Sequence, residues 1–86
     1  MNSKGKRPKN INLNSEVMLQ RLGARLKQLR VKAGFSSYEY FAYQHEISRA
    51  QYGRYEKGKD IRFSTLVKII NAFGLTLEEF FSEGFD

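Results

Sequence analysis

The sequence predicts an all-α fold of five short helices. Apolar residues recur at the i, i+3, i+4, i+7 spacing of a helical face in successive segments, and strand-like alternation persists nowhere. Two of these segments begin with a Ser or Thr followed three residues later by Gln or Glu, the pattern of a helix-capping box. The connections are only a few residues long, as is usual between packed helices.

Length and composition favour a single domain held together by packing. A chain of 86 residues without cysteine has no disulfides and suits a reducing cytosol, so we expect a cytoplasmic protein. No apolar run is long enough for a signal peptide or a membrane span. With a single histidine and no cysteine, we expect no metal site, no cofactor and no small-molecule substrate.

The net charge of +6 is concentrated at the beginning of the chain. Residues 1–14 contain the only proline and no acid, and they carry Lys4, Lys6, Arg7 and Lys9. Such a segment buries too little apolar area to offset the entropy of ordering it. We therefore predict a flexible basic arm over residues 1–14 and a folded domain over residues 15–86, whose basic surface attracts polyanions.

The first helix is predicted to begin at Ser15 as its N-cap and to end before Gly34, a left-handed stop. Its apolar stripe comprises Met18, Leu19, Leu22, Leu26, Leu29 and Ala33. The basic residues lie mostly off that stripe, either as a solvated face, which we favour, or as phosphate contacts: Arg21, Arg25, Lys27, Arg30 and Lys32.

The second helix is predicted over residues 37–45. Its stripe consists of Tyr38, Phe41, Ala42 and His45, which makes the histidine a core residue rather than a ligand. Tyr40 and Tyr43 lie off the stripe. They are either exposed aromatics that offer a partner surface or, as we favour, residues packed against the first helix or the arm.

The third helix has the clearest start, because Ser48 and Gln51 form a capping-box pattern and Ile47 and Tyr52 are spaced as a hydrophobic staple. Tyr52 and Tyr55 face the core, and Gly58 and Lys59 close the helix. The opposite face is basic with small residues between the charges: Arg49, Ala50, Gly53, Arg54 and Lys57.

The last two helices are predicted as core elements. The fourth spans residues 64–73, ends at Gly74 and has a stripe of Phe63, Leu66, Val67, Ile70 and Phe73. The fifth begins at Thr76, whose capping-box partner is Glu79, and directs Leu77, Phe80 and Phe81 to the interior.

A helix with a basic face, preceded by a second helix and a tight turn, fits the major groove of DNA. Arginine can donate two hydrogen bonds to guanine, so Arg49 and Arg54 are predicted to read bases, and Ala50 allows close approach to a thymine methyl. A mid-helix glycine costs about 1 kcal/mol relative to alanine. Gly53 therefore indicates a close neighbour, either DNA or the second helix, and these alternatives stay open.

From Leu22 to Phe81 the chain resembles the Cro/repressor-type (XRE-like) helix-turn-helix family. The resemblance rests on Ile47-Ser48-Arg49, on the run from Tyr52 to Gly58, and on the ending from Leu66 to Phe81. It implies a lambda-repressor-like fold in which Glu56 pairs internally. Glu46 departs from the family, which usually has a turn glycine there, and a positive φ costs a non-glycine residue about 1–2 kcal/mol.

The resemblance also implies roles for particular residues. The base-reading positions fall on Arg49, Ala50 and Arg54, and the phosphate-contacting start of the second helix falls on Ser37 and Tyr38. We place four further residues at phosphates, which fix register without reading sequence: Ser48, Gly53, Lys57 and Lys59.

The expected function is sequence-specific binding of double-stranded DNA by a transcription regulator, with repression as the expected direction. One recognition helix reads few base pairs, so we expect a homodimer on DNA, with Phe80, Phe81 and Phe85 as core or interface residues. The alternative is a protein-interaction module, such as an antitoxin that caps a toxin. No set of catalytic side chains can be assembled, and we expect no enzyme.

Overall fold

A computed structural model describes residues 13–86, which form five α-helices and no strand. The helices are α1 (Ser15–Lys32), α2 (Tyr38–Gln44), α3 (Arg49–Glu56), α4 (Phe63–Ala72) and α5 (Leu77–Phe80). The prediction of an all-α fold is confirmed for this part of the chain. Residues 1–12 of the predicted arm lie outside the described residues, so the arm stays a prediction.

Side-chain caps mark four of the helix starts. Ser37 accepts a hydrogen bond from the Tyr40 amide at the start of α2, and Thr76 forms the predicted capping box with Glu79. The predicted cap of α1 was wrong by one residue: Asn14 accepts from the Val17 amide, and Ser15 is already helical. Both residue types are good caps, so the sequence alone could not separate them.

At α3 the predicted cap is confirmed but the reciprocal bond of a capping box is not formed. Ser48 accepts from the Gln51 amide at 3.3 Å. The side-chain oxygen of Gln51 instead accepts from the Tyr55 hydroxyl at 3.2 Å, within the same helix. The competing tyrosine, one turn further on, explains why only half of the motif is present.

The core lies where all five helices meet. Its fully buried large side chains are Leu26, Phe41, Tyr52, Ile69 and Phe80. The Phe41 ring lies 5.1 Å from that of Tyr52 and stacks on Phe73 at 4.8 Å, centroid to centroid. Phe41 thus connects α2 to α3 and to the residue that ends α4.

Several predicted faces of α4 and α5 were wrong. Ile69 is fully buried, although it was left off the predicted stripe, whereas Phe63 and Val67 are exposed. Of the three residues predicted to point inward from the fifth helix, only Phe80 is buried, while Leu77 and Phe81 are each more than 40% exposed. The apolar stripe of a helix can be wider than the face that the core covers. The packing of the neighbouring helices decides which part of the stripe is buried.

Two arginines of α1 are buried, which corrects both interpretations for these two residues, whereas Lys27 and Lys32 are exposed as the favoured interpretation expected. Arg25 is 7% exposed and donates to the backbone oxygens of Phe80 and Glu79 at 2.7 and 3.0 Å. Arg30 is 4% exposed and pairs with Glu56. Neither is solvated and neither is available to a phosphate, because each guanidinium satisfies its charge inside the fold.

Candidate nucleic-acid interface

The turn between α2 and α3 is tight, and several backbone hydrogen bonds fix it. The amide of Ile47 donates to the Ala42 carbonyl at 2.8 Å. Glu46 has the left-handed conformation with φ of 57°, the conformation for which the family usually has glycine. The Lys68 ammonium of α4 donates to the Glu46 carbonyl at 3.1 Å. A hydrogen bond from a neighbouring helix therefore holds the strained residue in place. Together with the backbone hydrogen bonds of the turn, it fixes where α3 begins relative to α2.

The recognition helix α3 exposes the residues predicted to read bases. Arg49, Ala50 and Arg54 are all exposed. Within residues 13–86, neither arginine takes part in an ion pair or a side-chain hydrogen bond. Their guanidinium groups are therefore available to donate to hydrogen-bond acceptors outside the protein, such as the O6 and N7 atoms of guanine.

Gly53 does not belong to this exposed face, so its predicted position there was wrong. It is buried, and a β-carbon built on it would lie 2.6 Å from Cε1 of Tyr38. The close neighbour that the sequence indicated is therefore the second helix, as one of the two alternatives held. Tyr38 is half-buried, and its ring also lies 6.5 Å from that of Tyr52.

The residues predicted to contact phosphates differ in availability. Lys57, Lys59 and Ser48 are exposed, and no ion pair among residues 13–86 uses either lysine. Ser37 is engaged twice, since its oxygen accepts from the Tyr40 amide and its hydroxyl donates to Glu39 at 3.0 Å. A phosphate contact by Ser37 would require that hydroxyl to leave the carboxylate, and it stays a prediction.

A buried ion pair attaches the far end of α3 to α1. Arg30 donates from Nε and Nη2 to the two carboxylate oxygens of Glu56, at 2.7 and 3.0 Å. Its Nη1 donates to the Phe35 carbonyl, so one guanidinium connects α1, α3 and the α1–α2 loop. The hydrogen bonds to Glu56, partly offset by burial, raise the pKa of Arg30 above its ordinary value. The predicted internal pairing of Glu56 is thus confirmed.

Tyr52 lies against this ion pair, and its hydroxyl is buried without a hydrogen-bond partner among the described residues. Burial, followed by the close approach of the hydroxyl to the Glu56 carboxylate and the negative charge of that group, raises the pKa of Tyr52 far above its ordinary value. The phenol therefore stays neutral, and it contributes apolar surface to the α2–α3 contact.

Close backbone approach between α1 and α3 is a feature that the sequence analysis missed. Gly23 is buried, and a β-carbon on it would lie 2.6 Å from the Glu56 carbonyl oxygen and 2.7 Å from that of Tyr55. The glycine stands inside a helical pattern, which was the available signal. Exposed Arg62, in the loop after α3, is a further basic residue that was not singled out.

The tyrosines off the α2 stripe are exposed, so the predicted packing against the first helix was wrong, while packing against the arm concerns residues outside the described part of the chain. Tyr43 is 68% exposed and Tyr40 is 53% exposed. Tyr40 contacts Phe35, with ring centroids 5.6 Å apart, and accepts a hydrogen bond from the Gln44 amide at 2.7 Å. His45 is half-buried against Phe41, at a centroid distance of 4.6 Å, as expected of a structural residue.

None of the helices in residues 13–86 combines the length and apolar character that a membrane crossing needs. In the same range, no three His, Asp or Glu side chains are grouped as metal ligands.

Comparison with known proteins agrees with this geometry. A family model described as Helix-turn-helix matches residues 26–80, which contain α2, the turn and α3. A similar relative is "Control protein C.MunI" of a Mycoplasma species, 39% identical over 64 residues that span 73% of this chain and 86% of the relative. No solved structure matches significantly. The chain therefore belongs to the helix-turn-helix family, of the Cro/repressor (XRE) type, and is a DNA-binding transcription regulator.

Proposed function

We propose that the protein recognises a specific sequence of double-stranded DNA by inserting α3 into the major groove. The observation that carries this proposal is the pair of exposed arginines on α3, both without a partner in residues 13–86. A guanidinium without such a partner has no internal ion pair or hydrogen bond to break when it meets a guanine. Ala50 stands beside Arg49 and adds no bulk that would hold the helix away from the bases.

Phosphate contacts surround this reading face. Lys57 and Lys59 follow the end of α3 and supply positive charge. The Ser48 hydroxyl donates to no group among residues 13–86 and so keeps its hydrogen for a phosphate oxygen. The Tyr38 hydroxyl makes no hydrogen bond among the described residues and is held by its ring against Gly53. We propose that these groups set the position of α3 without reading sequence.

We further propose a homodimer that uses an apolar groove between the start of α1 and the end of the chain. The groove measures about 580 Å³ and is lined mainly by Leu13, Met18, Leu19, Leu22, Phe81 and Phe85. Phe80 is fully buried and is no interface residue, whereas Phe81 is 42% exposed. A Phe81→Ser protein should sediment as a monomer, while Phe63→Ser, altered at an exposed phenylalanine of α4, should sediment as the wild type does.

Repression is the proposed direction of regulation. A protein that occupies a duplex excludes other proteins from the same groove, whereas activation needs an additional surface. The name of the relative, a control protein, supports a regulatory role without giving its direction. Transcription in vitro from a template that carries the recognised site should fall as the protein is added.

The deciding experiment is selection of bound sequences from a randomised duplex pool at about physiological salt, where non-specific binding is weak. An enriched palindrome that contains guanines is the expected result. No enrichment would overturn the proposal and favour the antitoxin alternative. The salt dependence of binding separates DNA recognition from the antitoxin alternative. Neutralising phosphates gives a slope of log K against log salt concentration near −0.9 per phosphate, whereas an apolar protein interface gives almost none.

A further inference from the structure

A groove beside the start of α3 joins the predicted base-reading Arg49 to two tyrosines of α2 that have no assigned role. It measures about 390 Å³ and is lined by Ser37, Glu39, Tyr40, Tyr43 and Arg49. Tyr43 is 68% exposed on α2 and Arg49 is the first residue of α3, so the groove joins the two helices of the DNA-binding unit. A large aromatic side chain is thus exposed beside a predicted base-reading arginine.

The lining favours an apolar group over a phosphate. Two tyrosine rings line it, and the carboxylate of Glu39 offsets the attraction that Arg49 exerts on a phosphate. Tyr40 is already engaged, by its ring with Phe35 and by its hydroxyl with Gln44. Tyr43 makes no hydrogen bond or ring contact among the described residues, so its ring is the free surface of the groove.

We infer that the ring of Tyr43 packs against the C5-methyl group of a thymine adjacent to the base that Arg49 reads. This inference rests on the proposed function. The first helix of such a unit crosses the DNA backbone, and the thymine methyl projects into the major groove, where apolar side chains recognise it. A tyrosine on α2 that shares a groove with Arg49 is placed for that methyl. Tyr43 is then a specificity-determining residue, and α2 reads sequence as well as phosphates.

The test removes one methyl group at a time. In the selected duplex, each thymine is replaced singly by deoxyuridine, and dissociation constants are measured for the wild type, Tyr43→Ala, Tyr43→Phe and, as matched control, Tyr40→Ala. One replacement should weaken wild-type binding about fourfold, the value of burying one methyl. Tyr43→Ala should bind the unmodified duplex at least that much more weakly and be insensitive to the same replacement. Tyr43→Phe and Tyr40→Ala should keep the wild-type sensitivity.

Three results would overturn the inference. One is that no deoxyuridine replacement weakens wild-type binding, and another is that Tyr43→Ala keeps the full sensitivity. The third is that Tyr43→Phe and Tyr43→Ala lose affinity equally, because the hydroxyl would then be the contact. Unchanged thermal midpoints would show that the variants fold. Failure of the selection itself would instead overturn the proposed function, and the inference with it.

Discussion

The ring of Tyr38 occupies the space that a β-carbon on Gly53 would need, with Cε1 only 2.6 Å from the position of that carbon. The tyrosine is the first residue of α2 and the glycine lies in the middle of α3. Their contact lets the two helices approach closely, and it fixes α3 relative to the turn. A glycine that weakens the recognition helix by itself thus stabilises the unit of which that helix is part.

Gly53→Ala should therefore lower the free energy of unfolding by about 1 kcal/mol, because overpacking against Tyr38 outweighs the gain in helix propensity. In a Tyr38→Ala background the same change should be stabilising by up to about 1 kcal/mol, since the ring is gone. Urea titrations of the four proteins measure this change of sign. Equal effects of Gly53→Ala in both backgrounds would contradict the contact.

Glu56→Ala should destabilise the protein by about 3–5 kcal/mol, since it leaves the charge of Arg30 buried without a counter-ion. The matched control is Glu83→Ala, which breaks the Arg25–Glu83 pair. The Glu83 side chain is 64% exposed, so that loss should be below about 1 kcal/mol. Chemical denaturation gives both values, and similar losses for the two variants would refute the ranking.

Tyr52→Phe should be nearly neutral at pH 7, because the hydroxyl that it removes is buried and makes no hydrogen bond among the described residues. At high pH the two proteins should differ. The pKa of Tyr52 is raised in the folded state, so only the unfolded chain releases this proton above about pH 10. Wild-type stability should then fall with rising pH by up to about 1.4 kcal/mol per pH unit through this group.

Thermal unfolding from pH 9 to pH 11 measures this difference, with Tyr43→Phe as the control for an exposed tyrosine. The Tyr52→Phe protein should lose less stability over that range than either the wild type or the control. Parallel curves for all three proteins would show that Tyr52 is not the residue whose proton is retained.

Arg49→Ala and Arg54→Ala should each cost about 1–3 kcal/mol of binding to the selected duplex and relax specificity at one position. Lys57→Ala should weaken binding to selected and random duplexes alike and reduce the salt slope by about one phosphate. Fluorescence anisotropy on both duplexes separates the two classes. If the arginine variants lost as much affinity for random DNA as for the selected duplex, neither arginine would be a base reader.

Removal of residues 1–12 should lower DNA affinity and flatten the salt slope without changing the thermal midpoint, since the predicted arm supplies charge rather than packing. The truncation stops at residue 12 because Asn14 caps α1. A salt series on wild-type and truncated proteins provides the measurement. An unchanged slope would show that the arm makes no phosphate contact.

Local signals predicted the elements well, because each depends on residues a few positions apart. Ser48 and Thr76 accept the amide three residues ahead, as their spacing indicated, and α1 and α4 are each followed by a glycine with positive φ. The exposed arginines of α3 followed from the same short-range periodicity. The sequence by itself therefore determined the five helices, the turn and the basic face that we propose binds DNA.

Only the tertiary structure decided which charged and glycine residues are internal. Arg25 finds its carbonyl partners in α5, Arg30 finds Glu56 in α3, and Gly53 is covered by Tyr38 of α2. On a single helix these arginines look like solvated residues, and no periodicity names a partner on another helix. A buried charge is tolerated only where a partner satisfies it, and these partners are far away in the sequence. The outcome therefore depends on how the helices pack and not on local sequence.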